Sequence, residues 1–202
     1  MTLQNSCKNQ ETFVQIKTVT AITEVFCDGQ KVVAVAIEYD VAIKNASLSA
    51  EDFSVEGRTI TKIYANRSAE KSDTGKDGKF VIIELSPKDK NASTFMQSGR
   101  QFITKPAKIS VKQFRRIENA DGKIDEPFAG AVTNDRQTNW VVDDFKQLKY
   151  SDAKMGRKLK YNLFVPENYD KNKLYPLVMF IHDAGVLSTD RSVNGMYVIN
   201  RP

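Results

Sequence analysis

The chain has 202 residues, 41% of them hydrophobic and 27% charged, which fits a globular fold with a proper core. No apolar run approaches the roughly 18 to 20 residues that cross a bilayer, so no transmembrane segment is predicted. Thirty basic against 25 acidic residues give a net charge of +5, but the lysines are scattered among acids. Even the densest basic cluster, "KQFRR" (Lys112 to Arg116), is followed at once by Glu118, Asp121, Asp125 and Glu126. It reads as a solvated strand end, and no nucleic-acid partner is expected.

In chain order, the opening "MTLQNSCKNQETF" has no apolar core of a signal peptide. The expectation is a cytoplasmic protein, or a secreted one whose leader has been removed. Cys7 and Cys27 are too few for a disulfide framework, and a reduced, partly buried pair is expected. Asp28-Gly29 lies between two apolar runs and predicts a hairpin turn. After it, "KVVAVAIEYDVAI" (Lys31 to Ile43) predicts a strand buried on one face.

"SAEDFSV" (Ser49 to Val55) reads as one helical turn or the lead-in to a strand. "TITKIYAN" alternates with period two, placing Ile60, Lys62 and Tyr64 on one side and Thr61, Ile63 and Ala65 on the other. A polar turn then leads to a strand at Phe80 to Leu85. "SPKDKNASTFMQSGRQ" reads as a polar loop, and in "AKISVKQFRRI" Ile109, Val111 and Gln113 share a face. No stretch before Phe145 carries the i, i+3, i+4, i+7 apolar stripe of a helix. Short strands separated by turns predict a mainly β chain built on an immunoglobulin-like β-sandwich.

After Trp140 the pattern changes. "LVMFI" (Leu177 to Ile181) is a continuous apolar run, as in a parallel strand covered on both faces. Two domains are therefore expected: a sandwich over residues 1–143, and over residues 144–202 the first strands of an α/β unit. In "HDAG", His182 to Gly185, a small-residue loop directly follows this predicted strand. Such a loop brings a backbone N–H close to an oxygen that becomes negative during acyl transfer.

Taken together, "DDFKQLKYSD", "LKYNLFVPENYD" and "YPLVMFIHDAG", with Asp52, Phe53 and Val55 earlier, resemble the carboxylesterases of the α/β-hydrolase fold. The similarity is to those related to prolyl oligopeptidases and polyhydroxybutyrate depolymerases that carry an N-terminal immunoglobulin-like domain. The resemblance implies a sandwich that helps assembly or shapes active-site access, fused to a Ser-Asp-His esterase. It places the backbone oxyanion donors at Asp183 and Ala184.

The chain departs from that family in lacking any G-x-S-x-G, and its one histidine, His182, stands at the motif's own histidine rather than at the general base. Beyond about Leu187 the sequence no longer resembles the family. A truncated, inactive esterase portion is expected, with an ester substrate only for the full-length enzyme and no cofactor or metal. Self-association is expected through the hydrolase strands or the sandwich. The alternative is a stand-alone, non-catalytic interaction module. A carbohydrate-binding sandwich has only the fold class behind it.

Other motifs carry less. "DTGKDGKFVIIE" meets an EF-hand template at Asp73, Asp77, Gly78 and Glu84, but has Gly75 at the third position and a strand where a helix should start. A hairpin turn with Glu84 facing solvent is the expectation. Sequons at Asn45, Asn66 and Asn91 read as polar loop residues. Asp143-Asp144 reads as a solvated linker or a cap on the next strand, and Trp140 as core or domain-interface packing.

Overall fold

The computed structural model describes residues 15–98 and 101–180, and within them there is no α-helix. Strands β1 (Ile16–Phe26), β2 (Gly29–Ile43), β3 (Phe53–Val55), β4 (Ile60–Asn66) and β5 (Gly78–Leu85) come first. They are followed by β6 (Phe95–Ser98), β7 (Gln101–Thr104), β8 (Ser110–Gln113), β9 (Ile117–Glu118) and β10 (Ile124–Asp125). Last come β11 (Ala131–Thr133), β12 (Arg136–Asn139), β13 (Lys146–Asp152) and β14 (Arg157–Leu163).

Five strands form one sheet in the order β12-β1-β2-β5-β4, and three form a second, β11-β8-β3. Their inner faces meet in one apolar cluster. Val35, Ile37, Tyr39, Val81 and Ile83 come from the large sheet, and Phe53, Val55 and Val111 from the small one. This is the expected sandwich. Burying a branched aliphatic side chain contributes about 1.5–3 kcal/mol, so this layer is what holds the sheets together. Ile109, Val111 and Gln113 are all buried on one face as expected, and Gln113 satisfies its amide with the Tyr39 hydroxyl at 3.1 Å.

Local chemistry explains where the structure departs from the sequence reading. The β1–β2 hairpin forms, but Phe26 pairs with Gly29, so the two-residue loop is Cys27-Asp28 rather than Asp28-Gly29. Lys31 reaches back to Asp28 at 2.7 Å and holds its carboxyl below the usual range. Cys27 is exposed at this tip instead of partly buried, while Cys7 lies outside the described residues.

Strand β2 is buried on both faces, not one: Val33, Ala34 and Ala36 join a second cluster with Ile22, Tyr64 and Ile82 on the outer side of the large sheet. In β4 a register shift between Ile60 and Lys62 breaks the expected alternation. Ile60 therefore packs with Ile63 and Ala65 against the inner cluster, away from Tyr64.

The segment Ser49 to Val55 is both things it could be: a 3-10 turn at Ala50–Asp52, capped by Ser49, that leads into β3. The polar loop before β8 contains the β6–β7 hairpin, with Met96 opposite Ile103. Its alternation is too short to read in sequence. Residues 175–180 form no strand. A strand needs a neighbour to bond, and β13 and β14 form a two-stranded sheet of their own. Leu177, Val178 and Met179 remain mostly exposed.

Candidate functional site

The oxyanion positions named from sequence, Asp183 and Ala184, lie outside the described residues, as do His182 and Gly185. What the structure does assemble is a polar hollow of about 480 Å³ on the outer face of the large sheet. Its rim carries Glu24 from β1, Lys62 from β4, Glu84 from β5, Lys71 and Asp73 from the β4–β5 connection, and Trp140 after β12.

That connection is laid down on the sheet by specific bonds. The Lys76 amide donates to the Ala65 carbonyl at 2.9 Å, and the Asn45 side-chain oxygen accepts from the Ala65 amide at 2.9 Å. Gly75 permits this approach: a Cβ there would stand 2.1 Å from the Asn45 oxygen and 2.7 Å from the Tyr64 Cβ. Two of the three sequon asparagines thus do structural work, since Asn66 also donates to the Glu70 carbonyl at 2.9 Å.

Tyr64 is the hub. Its ring is buried, its hydroxyl accepts from the Ser72 amide at 2.7 Å, and it donates to Glu84 at 2.9 Å. Burial is the main cause pushing the phenol up to about 12, with the Glu84 carboxylate adding to it and the Ser72 amide opposing. Glu84 is therefore half-buried and bonded, not simply solvent-facing. Lys62 lies over the Tyr64 ring, 4.7 Å from its centroid. It donates to the carbonyls of Ser72 and Asp73 at 3.1 and 2.9 Å. Lys71 closes onto Glu24 at 2.7 Å.

Trp140 is 62% exposed, so it is not core. Its amide donates to the Thr23 carbonyl at 3.0 Å, beside Glu24. Asp143 accepts from both the backbone and side-chain nitrogens of Asn139, at 2.7 and 3.0 Å. It thus caps the preceding strand β12 rather than the next one, while Asp143 and Asp144 are both exposed, as a solvated stretch would be. Between them Val141 sits at φ 70°, a left-handed backbone that a β-branched residue rarely accepts.

The hollow brings Asp73 and Glu84 of the EF-hand-like stretch together. Asp77 instead accepts from the Asn45 amide at 2.7 Å, and Gly78 opens a strand. Among the described residues no group of three or more acidic, histidine or cysteine side chains is placed to hold a metal ion. Ser72 bonds within its own turn, its hydroxyl donating to the Thr74 carbonyl at 3.0 Å. The hollow offers charged and polar groups to a polar ligand, and the Ser72 hydroxyl is spent on the Thr74 carbonyl rather than on a base.

A family model described as the esterase Ig-like N-terminal domain matches residues 18–126, more than half of the chain. The chain belongs to this family. Beyond the matched range, β11 and β12 complete the two sheets of this Ig-like domain. Among solved structures, the Ig-like chain is similar to a thermostable esterase at 37% identity and TM-score 0.79, covering 89% of this chain and 51% of that one. It thus spans about half the length of that esterase. No curated protein matches.

Sequence reasoning weighed Asp73 and Glu84 together as part of an EF-hand template and Trp140 apart from them, and missed Glu24, Lys62 and Lys71 as members of a site. The one available signal was an isolated tryptophan in a polar stretch, "RQTNWVVDD".

Proposed function

We propose that this chain is the N-terminal part of a serine carboxylesterase, with the Ig-like sandwich serving assembly or active-site access. A hydrolase unit begins near residue 144. The observation that carries this is the likeness to a thermostable esterase over 89% of the chain at 37% identity.

The β13–β14 ribbon supports it. Leu148 faces Tyr161 and Tyr150 faces Leu159 on one side, while Lys149 faces Lys160 on the other. Tyr150 and Leu159 are more than half exposed. A two-stranded ribbon with an open apolar face is marginal by itself, and a further layer of chain or a second copy would cover it.

In this reading Asp183 and Ala184 offer backbone donors to a developing oxyanion, but nothing in the 202 residues attacks the ester. There is no G-x-S-x-G, and a serine without a base is scarcely ionised at neutral pH. The isolated chain scaffolds ester cleavage without performing it. It needs no cofactor, and association with itself runs through the ribbon or the sandwich.

Incubation with p-nitrophenyl acetate, and separately with a fluorophosphonate followed by intact-mass measurement, tests the inactivity. Turnover at the buffer rate and no adduct are expected; saturable hydrolysis or an adduct on any serine overturns it. The coding sequence after Pro202 tests the esterase assignment. A G-x-S-x-G with a later histidine in any frame supports it. Their absence favours a non-catalytic interaction module.

A further inference from the structure

We propose that the hollow beside Trp140 is a saccharide-binding site. Its volume of about 480 Å³ falls within the roughly 300–1,000 Å³ of small-molecule sites. Its chemistry narrows the class. An acyl chain would find no apolar wall beyond one indole. A phosphate would meet the carboxylates of Glu24, Asp73 and Glu84. A simple cation would meet the ammonium groups of Lys62 and Lys71.

A pyranose suits what is present. One of its faces is a patch of C–H groups that stacks on an indole, and its rim of hydroxyls both donates and accepts. Carboxylates and ammonium groups lining the same hollow as an indole supply both partners. Because Lys71 is held by Glu24 and Lys62 by two carbonyls, these groups are already oriented, and little rotamer freedom is lost on binding.

The presentation of Trp140 is a separate observation. A tryptophan side chain buries about 150–250 Å² when it packs, yet this one stays 62% exposed on backbone fixed at both ends. The Thr23 carbonyl holds its own amide, and Asp143 ties down Asn139 before it. Val141 follows in a strained left-handed conformation. Strained backbone persists where the surroundings over-determine it, and such sites cluster at ligand contacts. The chain does not relax to tuck the ring away.

Trp140 is the only tryptophan of the chain, so its emission reports on this site directly. The full chain is titrated with cellobiose, xylobiose and maltose, with glycerol as a control for viscosity and bulk hydroxyl. A saturable change in emission is expected for at least one disaccharide and none for glycerol. Calorimetry then compares Trp140→Ala and Lys71→Met with the parent. Affinity should fall at least about tenfold for Trp140→Ala and severalfold for Lys71→Met, each verified as folded by circular dichroism.

No saturable response to any of the three at about 50 mM, well above a millimolar Kd, overturns the proposal. Unchanged calorimetric affinity in Trp140→Ala also overturns it. Neither readout involves ester hydrolysis, so the outcome is independent of the esterase assignment.

Discussion

Replacing Asp89 by asparagine should unfold this domain more easily than any comparable surface change. The Arg58 side chain has 0% of its surface exposed, and its Nε donates to Asp89 at 3.0 Å. One Nη donates to the carbonyls of Val32 and Ser86 at 2.8 and 3.1 Å. The other is buried with no hydrogen-bond partner. Asp89 also accepts from the Thr59 amide at 2.9 Å and the Thr59 hydroxyl at 3.0 Å. This one carboxylate therefore neutralises a guanidinium that cannot reach water and fixes the chain entering β4.

Removing one partner of a buried pair costs about 3–5 kcal/mol, because the other charge is stranded. Asp89 keeps 15% of its side chain exposed, which screens part of the effect, and asparagine retains an oxygen for Thr59. The lower end, about 3 kcal/mol, is expected. That corresponds to a fall of roughly 6–12 °C in Tm for a chain of this size. Urea denaturation followed by far-ultraviolet circular dichroism measures it.

Burial opposes ionisation of Asp89, but the Thr59 amide and Arg58 outweigh it and hold the carboxyl below its ordinary 3.8. A depressed native value means the stabilisation is present above 3.8 and is lost as pH falls through the native value. The gap between variant and parent should close in that window. A gap below about 0.5 kcal/mol near neutral pH, the range of ordinary surface changes, would refute the reasoning. So would failure of the double change Arg58→Met with Asp89→Leu to regain most of the loss, since apolar replacement of a buried pair is close to neutral.

Three further outcomes follow from local geometry. In Asp125 one carboxylate oxygen is buried without a partner, and burial, reinforced by Asp40, raises its pKa against the Asn119 bond. The native state thus holds its charge at a cost above the raised value, so Asp125→Asn should raise the urea midpoint at neutral pH. The gain should vanish as pH falls below the unfolded value of 3.8. Gly78→Ala would place a Cβ 2.0 Å from the Asn66 carbonyl oxygen; with backbone as the obstacle, a loss of about 3 kcal/mol in denaturation is expected. Val141→Gly relieves a φ of 70°, worth about 1–3 kcal/mol. Roughly 0.5–1 kcal/mol of chain entropy offsets this, and a net gain of about 1 kcal/mol should appear as a higher Tm.

The strands legible in the sequence were those whose patterning is long and local. "KVVAVAIEYDVAI" and "KFVIIEL" announce β2 and β5 because β-branched residues at this density suit little else. The turn before β2 was found but misplaced by one residue, since Asp28-Gly29 is a turn signal whether glycine lies in the loop or just after it. Strand β12 was invisible: "RQTN" has no apolar alternation, and its place is set by Asn139 and Asp135 bonding to β1 from 116 residues away.

The run Tyr175 to Ile181 failed the opposite way. Its apolar content is real, but hydrogen-bonded neighbours make a strand, and none pairs with residues 175–180 here. The hollow was illegible because it is a property of the fold. Glu24, Lys62 and Glu84 come from three strands and meet only through the order β1-β2-β5-β4.

The parallel pairing of Thr20 with Arg136 has a consequence for synthesis. A ribosome adding about 5–20 residues per second needs roughly 6–23 s to deliver β12 after β1 has been made. Throughout that wait one long edge of β1 is bare, a template for any other nascent strand nearby. A gene fragment trimmed at residue 126 makes that interval permanent, and its product should be sticky; one extended past Asn139 closes the edge and should express as a well-behaved unit.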